Sequence, residues 1–196
     1  MKAEKRGGTN GFLSSSCSEN TLIKKSKNGD KQAFEYLMNH HLKVIYNYIC
    51  LHVSNSEDVK DIIQESMLSI WMSVKNYNFQ SSFKTWIIGI VRRRIADHYR
   101  KLYKNQTISI SGFEETLVKD DESDNIISGL DIEKVLEKLS KIEKEIVFLS
   151  FTVQLTYLEI SKIIHIPVGT IKRKMSRIKT KLRKQLQEEG EGIVKL

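Results

Sequence analysis

The sequence predicts an all-α protein, in which a flexible acidic linker joins two small helical domains and the second is a helix-turn-helix domain. Helix breakers are rare, because the 196 residues include one proline and ten glycines. Apolar residues recur at helical spacing in two blocks, and the segment between the blocks loses that period. This length accommodates one or two domains with cores of their own.

The chain is strongly basic, with a formal net charge of +8 and a pI near 9.3. This excess of basic residues indicates a polyanionic partner. Nucleic acid is favoured over an anionic membrane surface. We expect no membrane insertion, because no apolar run approaches the roughly 20 residues that cross a bilayer. The two cysteines, Cys17 and Cys50, provide no disulfide framework and suit a reducing cytoplasm. The histidines lack metal-site spacing, so we expect neither a metal nor a cofactor.

The predicted boundaries follow from these patterns. A flexible arm at 1–21 precedes the first domain at 22–104, whose apolar patterns predict helices around 33–49, 59–71 and from 83 onward. The linker is assigned to 105–130, because residues 114–124 hold six acids against the single base Lys119. The second domain spans 131–189, opening with one amphipathic helix from Val135 to Leu149, and a tail follows at 190–196.

An acidic and polar face is predicted on the second of these helices. Glu57, Asp61, Gln64, Glu65 and Leu68 fall on neighbouring turns, because residues three, four and seven apart share a helix face. On a basic protein such a face fits docking to a basic partner helix. An ordinary solvated face explains the same pattern.

Residues 76–101 combine aromatic side chains with cations. Aromatic rings can stack on exposed bases while arginine and lysine hold the backbone, as in single-stranded nucleic-acid binding. Tyr77, Asn78 and Phe79 precede the helix and are candidates for a base-contacting loop, whereas Phe83 and Trp86 have the spacing of core residues. The candidate cations are Arg92, Arg93, Arg94, His98, Arg100 and Lys101.

Residues 155–184 predict a helix-turn-helix. Thr156 and Glu159 form a T-x-x-E capping box at the start of its first helix. His165 stands in the turn, where a left-handed residue is usual, and Pro167 separates the two helices. The alternative is a charged, solvated helix on a small bundle.

The second helix of this motif has one apolar stripe and a cationic surface around it, which fits a major groove lined by phosphates. Side chains near its start can reach base edges, and the later lysines are better placed for phosphates. The residues assigned to DNA contact are Thr170, Lys172, Arg173, Lys174, Ser176, Arg177, Lys179 and Lys181.

Four stretches, in this order, resemble the extracytoplasmic-function (ECF) sigma factors of bacterial RNA polymerase. The opening helix of conserved region two is similar to NGDKQAFEYLMNHHLKVIYNYI, and its polymerase-binding helix to EDVKDIIQESMLSIW. The helix that melts and reads the minus-ten promoter element resembles FKTWIIGIVRRRIADHYRK. Region four, which reads the minus-thirty-five element, resembles LEKLSKIEKEIVFLSFTVQLTYLEISKIIHIPVGTIKRKMSRIKTKLRK.

The resemblance implies a cytoplasmic, non-enzymatic factor without catalytic residues or a small-molecule substrate, whose partners are core RNA polymerase and promoter DNA. An anti-sigma factor is a further candidate partner. The resemblance assigns the three loop residues and the six cations named above to the minus-ten element, and the helix-turn-helix to the minus-thirty-five element. It assigns polymerase binding to Asp61, Gln64, Glu65, Leu68 and Trp71.

Two positions depart from the family pattern: Arg93 stands where asparagine is frequent, and His165 where glycine is usual. Three other classes remain open as alternatives. A helix-turn-helix regulator that is not a polymerase subunit would need a ligand or dimerisation domain in its first block. A resolvase-like recombinase would need a nucleophilic serine on a βαβ domain. A helical scaffold would not explain two separate basic helices.

Overall fold

The computed structural model describes residues 18–105 and 138–193, with the side chains of 18–104 and 138–184. Every regular element in these ranges is helical, which confirms the all-α prediction. Residues 106–130 of the predicted linker and residues 1–17 of the predicted arm lie outside the described residues. The helices are α1 (Glu19–Lys27), α2 (Lys31–Cys50), α3 (Ser56–Ser73), α4 (Phe83–Asn105), α5 (Lys141–Val147), α6 (Tyr157–Ile164) and α7 (Val168–Ile193), with a 3-10 turn at Val74–Asn76 and a π-helical turn at Phe148–Thr152.

Short polar side chains set the helix starts of the first domain. The Ser18 side chain accepts a hydrogen bond from the Thr21 N–H, so α1 begins inside the segment predicted as a flexible arm. Asp30 caps α2 by accepting from the Ala33 N–H at 3.0 Å. Asn55 caps α3 in the same way. Each cap satisfies N–H groups that would otherwise lack a partner within the helix.

The core of the first domain forms where α2 packs against α1, α3 and α4. The apolar positions predicted for α2 are buried. So are Val59, Ile62 and Ile70 of α3 and Ile87, Val91 and Ile95 of α4. The side chains in this core that are almost fully removed from solvent include Ile23, Leu37, Met38, Ile45, Tyr48, Ile49, Ile62, Ile70, Ile87 and Ile88. Phe83 is buried and Trp86 packs beside it with ring centroids 5.5 Å apart, which confirms their prediction as core residues.

The second domain begins differently from the prediction. A single helix from Val135 through Leu149 is wrong, because Leu139 lies outside any helix and Ser140 is the N-cap of α5. Ser140 and Glu143 form a capping box, an S-x-x-E signal that the sequence carries. At the other end of the domain α7 continues to Ile193, beyond the predicted boundary at residue 189.

The helix-turn-helix is confirmed in its local details. The capping box of Thr156 and Glu159 starts α6, and His165 ends it in the left-handed region at φ 58° and ψ 33°. The His165 N–H donates to the Ser161 carbonyl at 3.0 Å, which satisfies one of the last acceptors of the helix. Pro167 then directly precedes α7.

Gly89 offers a test of the packing of α4. Glycine inside a helix costs about 1 kcal/mol relative to alanine, and a Cβ at Gly89 would meet no atom within 4 Å. Gly89→Ala should therefore raise the free energy of unfolding by about 1 kcal/mol in urea titrations. Gly29→Ala is the control: it also has open space, but its φ of +88° disfavours a side chain, so it should lower that free energy. Stabilisation by both substitutions would contradict the positive φ of Gly29 as the reason for the expected difference.

Candidate nucleic-acid and partner interfaces

Helix α7 presents a cationic surface opposite a buried stripe. Ile171, Met175 and Ile178 are buried against the rest of the second domain. The predicted DNA-contacting residues lie on the remaining faces, where Thr170 and Lys174 are half-buried. The exposed members of the set are Lys172, Arg173, Ser176, Arg177, Lys179 and Lys181. This arrangement leaves the start of α7 available to a groove.

Helix α3 presents the predicted acidic and polar face. Asp61 and Gln64 are exposed, and Leu68 is 60% exposed. Met72, which the sequence reasoning missed, is 64% exposed and extends this face by one turn. Its position four residues after Leu68 was the signal that could have identified it.

The other two residues predicted for polymerase binding are engaged within the first domain. Trp71 is half-buried and packs edge-on against Phe34, with ring centroids 4.8 Å apart. Glu65 accepts a hydrogen bond from Lys101 Nζ at 2.9 Å. Glu65 therefore joins α3 to the cationic end of α4.

The loop before α4 differs from the expectation at Tyr77. The Tyr77 side chain is not free to contact a base, because the residue is only 4% exposed and its hydroxyl donates to the Ser81 carbonyl at 2.6 Å. Asn78 and Phe79 are exposed, and Phe79 adopts a positive φ of 61°. Lys27 Nζ, which the sequence reasoning missed, lies 5.3 Å from the centre of the Phe79 ring and donates to the Tyr77 carbonyl at 2.5 Å.

Acidic side chains engage most of the cations predicted on α4. Arg94 and Arg100 both contact Asp97, at 3.2 and 2.9 Å. His98 Nε2 lies 3.6 Å from Asp58 Oδ2. Arg93 is exposed. Arg92 is half-buried, and its Nε donates to Glu145 of the second domain at 3.4 Å.

Glu145 is the centre of a buried polar cluster between the two domains. It is 3% exposed, and its Oε1 accepts a hydrogen bond from the Tyr48 hydroxyl at 2.5 Å. His52 Nε2 lies 3.6 Å from the same oxygen, beyond hydrogen-bond distance. The sequence reasoning missed this residue, although Glu145 falls between Ile142 and Leu149 on the predicted apolar face of α5. An acid within a buried helical face was the available signal.

Burial controls the protonation of the groups around Glu145. Burial raises the pKa of the Tyr48 phenol well above its ordinary value, and the Glu145 carboxylate raises it further. Tyr48 therefore remains a hydrogen-bond donor at neutral pH. Burial lowers the pKa of His52; the Glu145 carboxylate opposes this shift, whereas Arg92 and Lys141 add to it. His52 is accordingly neutral at pH 7.

A second polar contact joins the domains. Glu159 Oε2 completes the capping box of α6, while its Oε1 accepts a hydrogen bond from Thr85 of α4 at 2.8 Å. Burial raises the pKa of Glu159, but hydrogen bonds from Thr156, Thr85 and Ser82 outweigh it and hold that pKa below its ordinary value. One carboxylate thus serves both the helix-turn-helix and the interdomain contact.

Within residues 18–105 and 138–193, no cluster of three or more histidine, cysteine or acidic side chains could hold a metal ion. No helix in the described part of the chain is long and apolar enough to cross a membrane.

These features define a two-domain helical protein that carries a helix-turn-helix and a cationic recognition helix. Residues 37–104 match the sequence profile of sigma-70 region 2, and residues 129–182 match that of sigma-70 region 4. The chain belongs to the sigma-70 family of RNA polymerase sigma factors, within its ECF subfamily.

Curated relatives match nearly their full lengths. The ECF RNA polymerase sigma factor SigW of Bacillus subtilis (strain 168) is 24% identical over 178 residues, which cover 85% of this chain and 95% of the relative. The ECF RNA polymerase sigma-E factor of Haemophilus influenzae is 23% identical over 186 residues, covering 86% of this chain and 95% of the relative.

Solved structures share the fold. CnrH, in complex with the cytosolic domain of CnrY, superposes with a TM-score of 0.57 at 18% identity, covering 87% of this chain and 97% of CnrH. The sigma factor RpoE from Bartonella quintana, in complex with the anti-sigma factor NepR, gives a TM-score of 0.55 at 21% identity, covering 78% of this chain and 98% of RpoE.

Proposed function

We propose that the chain directs core RNA polymerase to promoters through three separate surfaces, with region two at 22–104 and region four at 131–189. The observation that carries the proposal is the presence of both sigma-70 regions in one chain, together with an exposed polar face on α3 and an exposed cationic face on α7. A helix-turn-helix regulator that is not a polymerase subunit would not need region two.

The polymerase-docking surface is the exposed face of α3. Asp61 and Gln64 supply polar groups, and Leu68 with Met72 supplies apolar area beside them. A partner helix with basic and apolar residues fits this combination, because charge guides the approach and buried apolar contact provides affinity. Trp71 supports the face from beneath by packing on Phe34.

The upstream promoter surface is the start of α7. Lys172, Arg173, Ser176 and Arg177 are exposed within its first three turns, where groove-entering side chains reach base edges. Thr170 and Lys174 flank this set. Lys179 and Lys181 lie further along the helix, where they contact phosphates and set the position of the protein.

The downstream promoter surface combines the loop before α4 with the cations of α4. Asn78 and Phe79 are exposed at the loop, so Phe79 can offer a ring to an unstacked base. Arg92, Arg93, Arg94, His98, Arg100 and Lys101 follow on one helix and serve the phosphate backbone. Tyr77 supports the loop from its buried position instead of contacting a base.

The proposed factor works in the cytoplasm, is not itself an enzyme and requires no cofactor. Two of the solved structures with this fold are complexes of a sigma factor with CnrY or with the anti-sigma factor NepR. We therefore include an anti-sigma factor among the proposed partners, beside core polymerase and promoter DNA.

The docking surface is tested by replacing Asp61 and Gln64 together with alanine. Both side chains are exposed, so the helical content should be unchanged while the affinity for core polymerase falls about tenfold, or roughly 1.4 kcal/mol. The matched control is Gln32→Ala with Glu35→Ala, an exposed amide and acid on α2. Fluorescence titration of core polymerase measures both. Equal affinity of the two double variants would place the docking surface elsewhere.

The upstream surface is tested by comparing arginine and lysine variants. Arg173→Ala or Arg177→Ala should relax the preference for particular base pairs, because a bidentate arginine–guanine pair discriminates by roughly 1–3 kcal/mol. Lys179→Ala or Lys181→Ala should weaken binding to all sequences alike and reduce its salt dependence. Transcription from a promoter library distinguishes the two effects. A uniform loss in the arginine variants, with unchanged sequence preference, would mean that they contact only phosphates.

A further inference from the structure

Glu145 belongs to the second domain but depends on the first domain for its hydrogen bonds. Its described hydrogen-bond donors, Tyr48 and Arg92, both belong to the first domain, and so does the adjacent His52. A buried carboxylate without such donors would carry a large desolvation cost. The position of Glu145 is therefore favourable only while the two domains are in contact.

Further contacts support the same arrangement. The Phe148 ring of the second domain lies 5.9 Å from the Tyr48 ring, centre to centre. Helix α4 packs against α6, where Thr85 donates to Glu159 at 2.8 Å. We term this contact of α2 and α4 with α5 and α6 the closed arrangement. It combines a buried polar centre with apolar and polar contacts around it.

Arg92 connects this arrangement to DNA binding. Its guanidinium is one of the cations assigned above to the minus-ten element, and here it donates to the Glu145 carboxylate. Carboxylate and phosphate oxygens use the same guanidinium donors, so they compete for a single arginine. The Arg92 side chain is only 20% exposed in this arrangement, which limits the access of a phosphate to its remaining donors.

We propose that Glu145 holds the free protein in a closed, self-inhibited form by occupying Arg92 in place of a promoter phosphate. The proposal rests on the assignment of Arg92 to the minus-ten surface. Opening is thermodynamically accessible, because the attraction within a buried ion pair is largely offset by the desolvation of its members. Once the domains separate, Glu145 returns to water and Arg92 becomes available to the DNA backbone.

The test uses the full-length chain and two measurements. The radius of gyration from small-angle X-ray scattering reports closure, and the anisotropy of a short fluorescein-labelled single-stranded oligonucleotide of mixed sequence reports DNA binding. Glu145→Gln preserves the shape of the side chain and removes its charge. Tyr48→Phe removes one hydroxyl and preserves the packing of the first domain, so it keeps the test valid if Glu145→Gln destabilises the second domain.

Both variants should increase the radius of gyration and tighten oligonucleotide binding. For Glu145→Gln we expect about a tenfold gain, because a neutral acceptor replaces the charged one and weakens the hydrogen bonds from Tyr48 and Arg92. Arg92→Ala should also open the protein, but without the gain in affinity. The matched control is Tyr99→Phe, which removes a hydroxyl that donates to the His52 carbonyl at 2.5 Å within the first domain. It should leave both measurements at their wild-type values.

Two results would overturn the proposal. An unchanged radius of gyration in Glu145→Gln and Tyr48→Phe would show that Glu145 does not hold the domains together. An increased radius with unchanged oligonucleotide affinity would show that Glu145 does not compete with DNA for Arg92. The proposed function is tested separately. If the wild-type chain did not support transcription by core polymerase, the scattering comparison would still show whether Glu145 holds the two domains together.

Discussion

A carboxylate buried between two domains is the constraint on which the described arrangement of this molecule depends. Glu145 belongs to α5 of the second domain, yet Tyr48 and Arg92 of the first domain supply its hydrogen bonds. Neither domain alone provides a satisfactory environment for this group, since a buried charge requires partners. The same contact determines which surfaces face solvent: α7 remains exposed, whereas Arg92 is occupied.

Acidic side chains also organise the rest of this basic chain. Glu159 caps α6 and accepts from Thr85, Asp97 contacts Arg94 and Arg100, and Glu65 contacts Lys101. Asp97 and Glu65 restrain cations of α4 in a region assigned to DNA, while the recognition helix α7 carries its cations largely in solvent. The two proposed promoter surfaces therefore differ: one is available in this conformation, and the other is largely engaged by the protein's own carboxylates.

Local chemistry explains which features could be predicted from the sequence. The capping box of Thr156 and Glu159, the left-handed His165 and the buried stripe of α7 depend on residues a few positions apart. The capping box at Ser140 is equally local, and the apolar periodicity across it obscured the helix boundary. The burial of Tyr77 and the partners of Glu145 were beyond prediction, because they depend on contacts between distant segments. The residue roles on α3, α4 and α7 stay predictions.

This chain is the subunit that gives core RNA polymerase its promoter choice. Transcription of a fragmented genome by purified core polymerase, with and without the chain, tests this claim directly through the sequenced start sites. We expect a restricted set of start sites that appears only with the chain. These sites should share two sequence elements at a fixed spacing, one for each region. Identical start sites with and without the chain would contradict the claim, even if the chain bound duplex DNA tightly by itself.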